Sequence, residues 1–88
     1  MAAQSEIDND LLVKVTAENF LGGIQVAVVR QDGFTSESRY FSNPMTAADW
    51  ASSRSLPIHA KADCEIIEAI EFYREAYPMN IISLTVEA

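Results

Sequence analysis

The sequence predicts an α+β domain: a two-layer sandwich, an antiparallel sheet with two helices on one face, in the order β-β-β-α-α-β. Three observations predict it. Residues 11–41 run in short segments of alternating or β-branched apolar residues, broken at glycines. Residues 61–77 place apolar side chains at helical spacing. Residues 80–87 return to alternation.

Residues 1–9 are polar and predict a frayed N-terminus, leaving 10–88 as a single domain. A chain of 88 residues buries roughly 60–65% of its unfolded surface, so modest stability follows. The aromatic set is Phe20, Phe34, Tyr40, Phe41, Trp50, Phe72, Tyr73 and Tyr77, enough to anchor one core.

The first strand is "LLVKVT" (11–16), with Leu11, Val13 and Val15 on one side. Gly22-Gly23 signals a turn or bulge, and "IQVAVVR" (24–30) is a second, β-branched strand. Two hairpin closures follow it. A two-residue Asp32-Gly33 turn sets Val28 beside Glu37 and Val26 beside Arg39. A three-residue loop, Gln31-Asp32-Gly33 with Gly33 left-handed, instead puts Ile24, Val26 and Val28 on one face with Phe34 and Tyr40, and Gln25 opposite Arg39. A one-residue slip exchanges faces, and apolar chemistry favours the three-residue loop. The third strand is then Phe34 to Phe41.

Asn43-Pro44 ends that strand, and "MTAADWASSR" opens a short helix. Thr46 is the expected N-cap, with Met45 and Trp50 at hydrophobic-staple spacing. "SLPIHAKAD" reads as a linker, because Pro57 prevents a continuous helix. The second helix runs from about Lys61 to Tyr77, with Ala62, Ile66, Ala69, Ile70, Tyr73, Ala76 and Tyr77 as its apolar face. Pro78 stops it, and "NIISLTVE" (80–87) is the last strand, with Ile82, Leu84 and Val86 inward.

Charge narrows the function classes. Thirteen acidic residues against six basic ones give a formal net charge of −7. Binding bare nucleic acid or an anionic membrane needs clustered Lys and Arg, and here the basic residues are scattered singly. A basic protein surface is the natural complement. The single cysteine, Cys64, cannot form an internal disulfide, which fits a reducing cytoplasm. The N-terminal residues MAAQSEIDND have neither the basic region nor the apolar stretch of a signal peptide.

Motifs of chemistry are missing. No phosphate-binding glycine loop, nucleophile elbow or zinc-protease motif occurs. His59 and Cys64 are the sole imidazole and thiol, and their spacing matches no zinc half-site. The chain is therefore expected to be no enzyme and to hold no metal and no cofactor.

The strongest pattern is "CEIIEAIEFYREAY" (64–77). Glu65, Glu68, Glu71 and Glu75 fall opposite the apolar face, with Phe72 at their edge. Like charges at i, i+3 and i+4 each cost a few tenths of a kcal/mol, and only Lys61 and Arg74 lie near enough to offset them. These five residues are the candidate partner-binding face, with Phe72 as apolar anchor.

In build, the chain resembles the small acidic phage-encoded inhibitors of the anti-CRISPR type. The hairpin "IQVAVVRQDGFTSESRYF", the helix "CEIIEAIEFYREAY" and the strand "NIISLTVE" carry the likeness. That group shares no motif, so no residue role transfers. The resemblance implies a non-catalytic inhibitor in the host bacterial cytoplasm. It would block the basic surface of a CRISPR interference complex where guide RNA or target DNA sits. The alternative is a homo-oligomerising or scaffold module that self-associates through a sheet edge or the Phe72 side.

Overall fold

The structure, a computed structural model, describes residues 11–79 and 81–88. The segment expected to fray lies outside them. Among the described residues five strands and two helices follow one another along the chain. They are β1 (Leu12–Phe20), β2 (Gly23–Arg30), β3 (Thr35–Phe41), α1 (Pro44–Ser52), β4 (Ile58–Lys61), α2 (Ile66–Ala76) and β5 (Leu84–Glu87). The α+β class holds. The all-antiparallel sheet does not: the order is β3-β2-β1-β4-β5, with β1, β4 and β5 mutually parallel.

The segment expected to be a linker is the reason. Ile58–Lys61 is a strand between β1 and β5. Its neighbours hold it at the entry, where Val15 N–H donates to the Pro57 carbonyl (2.8 Å) and Ile58 N–H to the Ser83 carbonyl (2.8 Å). β4-α2-β5 is thus a strand-helix-strand unit, and a helical crossover returns the chain to pair in parallel.

β1 and β2 form a hairpin through a two-residue loop, Leu21-Gly22, both residues at positive φ (49° and 80°). That is the pattern of a type I′ turn, whose twist matches the strands. Gly23 follows because nothing larger fits. A Cβ there would meet the Phe41 carbonyl oxygen and lie 2.5 Å from the Tyr40 hydroxyl.

The second hairpin closes with the expected three-residue loop. Gly33 is left-handed (φ 91°), Gly33 N–H donates to the Arg30 carbonyl (3.0 Å), and Arg30 N–H to the Phe34 carbonyl (2.9 Å). Yet the register beyond it is the one that apolar chemistry disfavours. Val29 pairs with Thr35, but Val28 pairs with Glu37 and Val26 with Arg39. A bulge at Ser36 absorbs one residue and exchanges the faces. Gln25 consequently pairs with Tyr40, not Arg39, and Phe34 and Tyr40 are exposed instead of sharing the core face.

The first helix starts where its local cap dictates. Asn43, not Thr46, caps α1: its Oδ1 accepts from Met45 N–H (2.8 Å), with Pro44 at the first helical position. Met45 therefore sits inside the helix, and staple geometry is lost. Trp50 packs instead on Phe41 (5.9 Å between centroids), with the guanidinium groups of Arg39 and Arg54 over its ring. α2 starts later than expected, because Lys61 belongs to β4, and Ala62 is exposed. At its other end Ala76 and Tyr77 are exposed too.

Val15, Ala17, Ile24, Val26, Val28, Ile58 and Ala60 point from one sheet face into Ala47, Ala48, Ala51, Ile66, Ala69 and Ile70 of the helices. Among the described residues no aromatic is fully buried, contrary to the expected aromatic anchor. Phe41, Trp50 and Tyr73 only flank the core. Of the expected inward residues of the last strand, Ile82 and Leu84 are half-buried, and Val86 is exposed.

Candidate functional site

Around α2, at ~100° per residue, the exposed side chains fall in the order Glu71, Glu75, Glu68, Phe72, Glu65 over an arc of ~120°. All five are exposed, and the core side of the same helix is Ile66, Ala69 and Ile70. The candidate residues thus share one flank of the helix. Among the described residues none of the four glutamates makes an ion pair.

The neighbouring cation is used elsewhere. Arg74 donates from Nη2 (2.6 Å) and Nε (3.1 Å) to the Ile82 carbonyl, pinning the connection between α2 and β5. It is thereby drawn from the glutamates beside it.

The glutamates are not equivalent. Glu65 occupies the cap position and Glu68 the first turn, where the partial positive charge of the helix N-terminus favours them. Glu71 lies beyond that turn and Glu75 in the last one, where the dipole opposes a negative charge. Structure alone accounts for the first two and leaves Glu71 and Glu75 without a stabilising role.

The N-terminus of α2 is held by Asn19 of β1. Asn19 Nδ2 donates to the Asp63 carbonyl (2.7 Å), and Glu65 N–H donates to Asn19 Oδ1 (3.2 Å). This fixes Glu65 relative to the sheet. Between the starts of α1 and α2 lies an open groove of about 680 Å³. Met45, Ile67, Ala69 and Phe72 give it apolar walls, and Asp63, Glu65 and Glu68 an acidic rim. The groove brings Glu65, Glu68 and Phe72 together, while Glu71 and Glu75 are not among its lining residues. Met45 and Asp63 are groove residues that sequence reasoning did not select. Asp63 stands two positions before Glu65, so its charge was visible, but its place required the late helix start.

His59 and Cys64 do not meet. Cys64 is buried on the helix side, where burial pushes its thiol up and Asp63, Glu65 and Glu18 add to the rise, against a backbone hydrogen bond from Ile66. It is a poor nucleophile. His59 lies on the uncovered sheet face, with Nδ1 at 3.3 Å from Glu87 Oε2. No group of three or more His, Cys, Asp or Glu that could hold a metal occurs among the described residues.

A smaller cleft lies where α1 meets the end of α2, lined by Asp49, Ser52, Ser53, Tyr73, Tyr77 and Ile82. Burial pushes the Tyr73 phenol up, and Asp49, hydrogen-bonded to it, adds to the rise. The serine hydroxyls are committed to backbone, Ser52 to the Ala48 carbonyl (2.6 Å) and Ser53 to the Trp50 carbonyl (2.7 Å). Among the described residues no helix is long and apolar enough to cross a membrane. Compared with known proteins, the chain matches no family model and no curated protein.

Proposed function

We propose that the protein is a non-catalytic inhibitor that docks the acidic flank of α2 on a basic protein surface. The surface meant is that on which a CRISPR interference complex holds guide RNA or target DNA. In this reading it works in the host bacterial cytoplasm, imitates nucleic-acid charge, and touches neither nucleic acid nor membrane itself. One observation carries the reading: Glu71 and Glu75 are exposed as a like-charge i, i+4 pair, Glu75 in the last turn where the helix dipole disfavours it, and no ion pair among the described residues relieves them. An incoming Lys or Arg supplies the missing charge, and Phe72 beside the groove supplies apolar contact.

The test is binding to purified CRISPR interference complexes, with and without target DNA, at low and high salt. Glu71→Lys with Glu75→Lys should weaken binding roughly tenfold or more, mainly by slowing association. Target DNA should compete with the parent protein. Binding that ignores salt, DNA and the double reversal removes the acidic flank as the working surface.

A further inference from the structure

The outermost strand β3 carries an arrangement that neither the acidic flank nor the core uses. β3 has seven residues, Thr35–Phe41, and forms one edge of the sheet. The opposite edge, β5, has four. An edge strand displays unpaired backbone groups and templates further pairing, and charged residues normally blunt it. Here the charges are Glu37 and Arg39, two positions apart and so on one face, with Arg39 Nε donating to Glu37 Oε2 (3.1 Å). Arg39 is further oriented over Trp50, and Arg54 reaches Glu37 at 3.9 Å.

We propose that two copies of this chain pair through their β3 edges, antiparallel and centred on Ser38, joining two sheets into one. In that register Glu37 faces Arg39 of the second copy, and Arg39 faces its Glu37. Directly opposed residues of paired strands point to the same face, so the charges meet. The four charges alternate in sign along each strand and across the pair, and the contact is the same seen from either copy, as two-fold symmetry requires. Other registers fail. Centring on Glu37 opposes two carboxylates, centring on Arg39 opposes two guanidinium groups, and shifts of half a step set charges against serine or Tyr40. The pair that discourages foreign strands thus admits a second copy in one alignment.

Charge elsewhere favours this edge over the helix flank. Association through α2 would set glutamate against glutamate. Among the described residues the charges paired at β3 are Glu37, Arg39 and Arg54, two cations to one anion. On the opposite face of the strand Ser38 meets Ser38, a small pair that leaves the backbones free to approach. The Ser36 bulge confines regular pairing to the segment after it, which makes the four-charge cluster decisive.

The experiment uses the full chain and reads mass by light scattering and sedimentation across a concentration series. The parent protein should reach twice the monomer mass. Glu37→Arg alone and Arg39→Glu alone should each stay monomeric, because each places like charges across the pair. Mixed together they should form a heterodimer, since the two guanidinium groups of the first variant then face the two carboxylates of the second. A monomeric parent at all concentrations, single variants that still dimerise, or a mixture that stays monomeric would each overturn the proposal. Circular dichroism confirms that the variants fold. Should they not, hydrogen exchange on the parent decides: β3 amides, and not those of β5, should gain protection as concentration rises.

Discussion

Leu21 is the residue whose backbone conflicts most with its side chain. It stands at φ 49° in the first position of a type I′ turn and is 82% exposed. Left-handed geometry costs an L-residue roughly 1–2 kcal/mol, and asparagine tolerates it best after glycine. The leucine side chain has little burial to lose. Leu21→Asn should therefore stabilise the protein by about 1 kcal/mol, read as a higher urea midpoint at unchanged slope. The Tyr40 hydroxyl, which donates to the Leu21 carbonyl (2.9 Å), would hold the turn in either variant. A lower midpoint would show that the leucine side chain makes a contact worth more than the backbone cost. Gly22-Gly23 announced the turn in the sequence, but nothing in the side chain of Leu21 announced its left-handed backbone.

At the scale of elements, the second hairpin shows what a sequence pattern holds and what it omits. The expected three-residue loop forms, although the shared apolar face that favoured it over a two-residue Asp-Gly turn does not. Asp32 Oδ1 accepts from Phe34 N–H (3.0 Å) and its other oxygen pairs with Arg30. The bulge at Ser36 left no mark, because Thr-Ser-Glu-Ser is polar in either register. The backbone bond from Phe34, aided by Arg30, holds the Asp32 carboxyl below the usual carboxylate range. A group whose pKa falls on folding stabilises the fold above its unfolded pKa and loses that contribution as pH drops through its folded one. The stability gap between the parent and Asp32→Ala should accordingly be constant near neutrality and shrink as pH falls below about 4. A gap that persisted in acid would mean the loop is held by its backbone alone. The helix α2 permits a converse test. Glu71→Lys with Glu75→Lys keeps a like-charge i, i+4 pair but suits its sign to the last turn and sets position 71 three residues after Glu68 with opposite charge, so chemical denaturation should show a gain of a few tenths to about 1 kcal/mol. A parent helix less stable than its charge-reversed variant, yet better at binding, is the signature of charge kept for a partner. The glutamate stripe and Phe72 were legible because helical spacing is regular. The groove beside them was not, because it depends on where α1 begins, and Asn43 rather than Thr46 decides that.

The whole molecule turns on four residues that the sequence disguised as a connection. Ile58–Lys61 does alternate, Ile58 and Ala60 against His59 and Lys61, but so short a run after Pro57 resembles any polar loop. Missing it concealed the parallel half of the sheet, since without β4 no strand precedes α2 to make a strand-helix-strand unit. In the fold, β4 lies between β1 and β5 and buries Ile58 and Ala60 completely. A core with no fully buried aromatic among the described residues depends on such side chains, for Ile24, Ile58, Ile66, Ile70, Val15 and Val26 are its largest fully buried ones. Removing one leaves a cavity that alanine-rich neighbours cannot fill. Ile58→Ala should cost about 2–5 kcal/mol, a large share of the total stability of so small a domain. Val86→Ala, on the edge strand with the side chain 51% exposed, should cost less than about 1 kcal/mol. Thermal and urea unfolding of the two variants side by side measure the difference. If Ile58 belonged to a surface connection, the two costs would be alike. A large gap between them instead requires β4 to be a central strand, and with it the mixed sheet that carries α2 across one face and holds its glutamates outward.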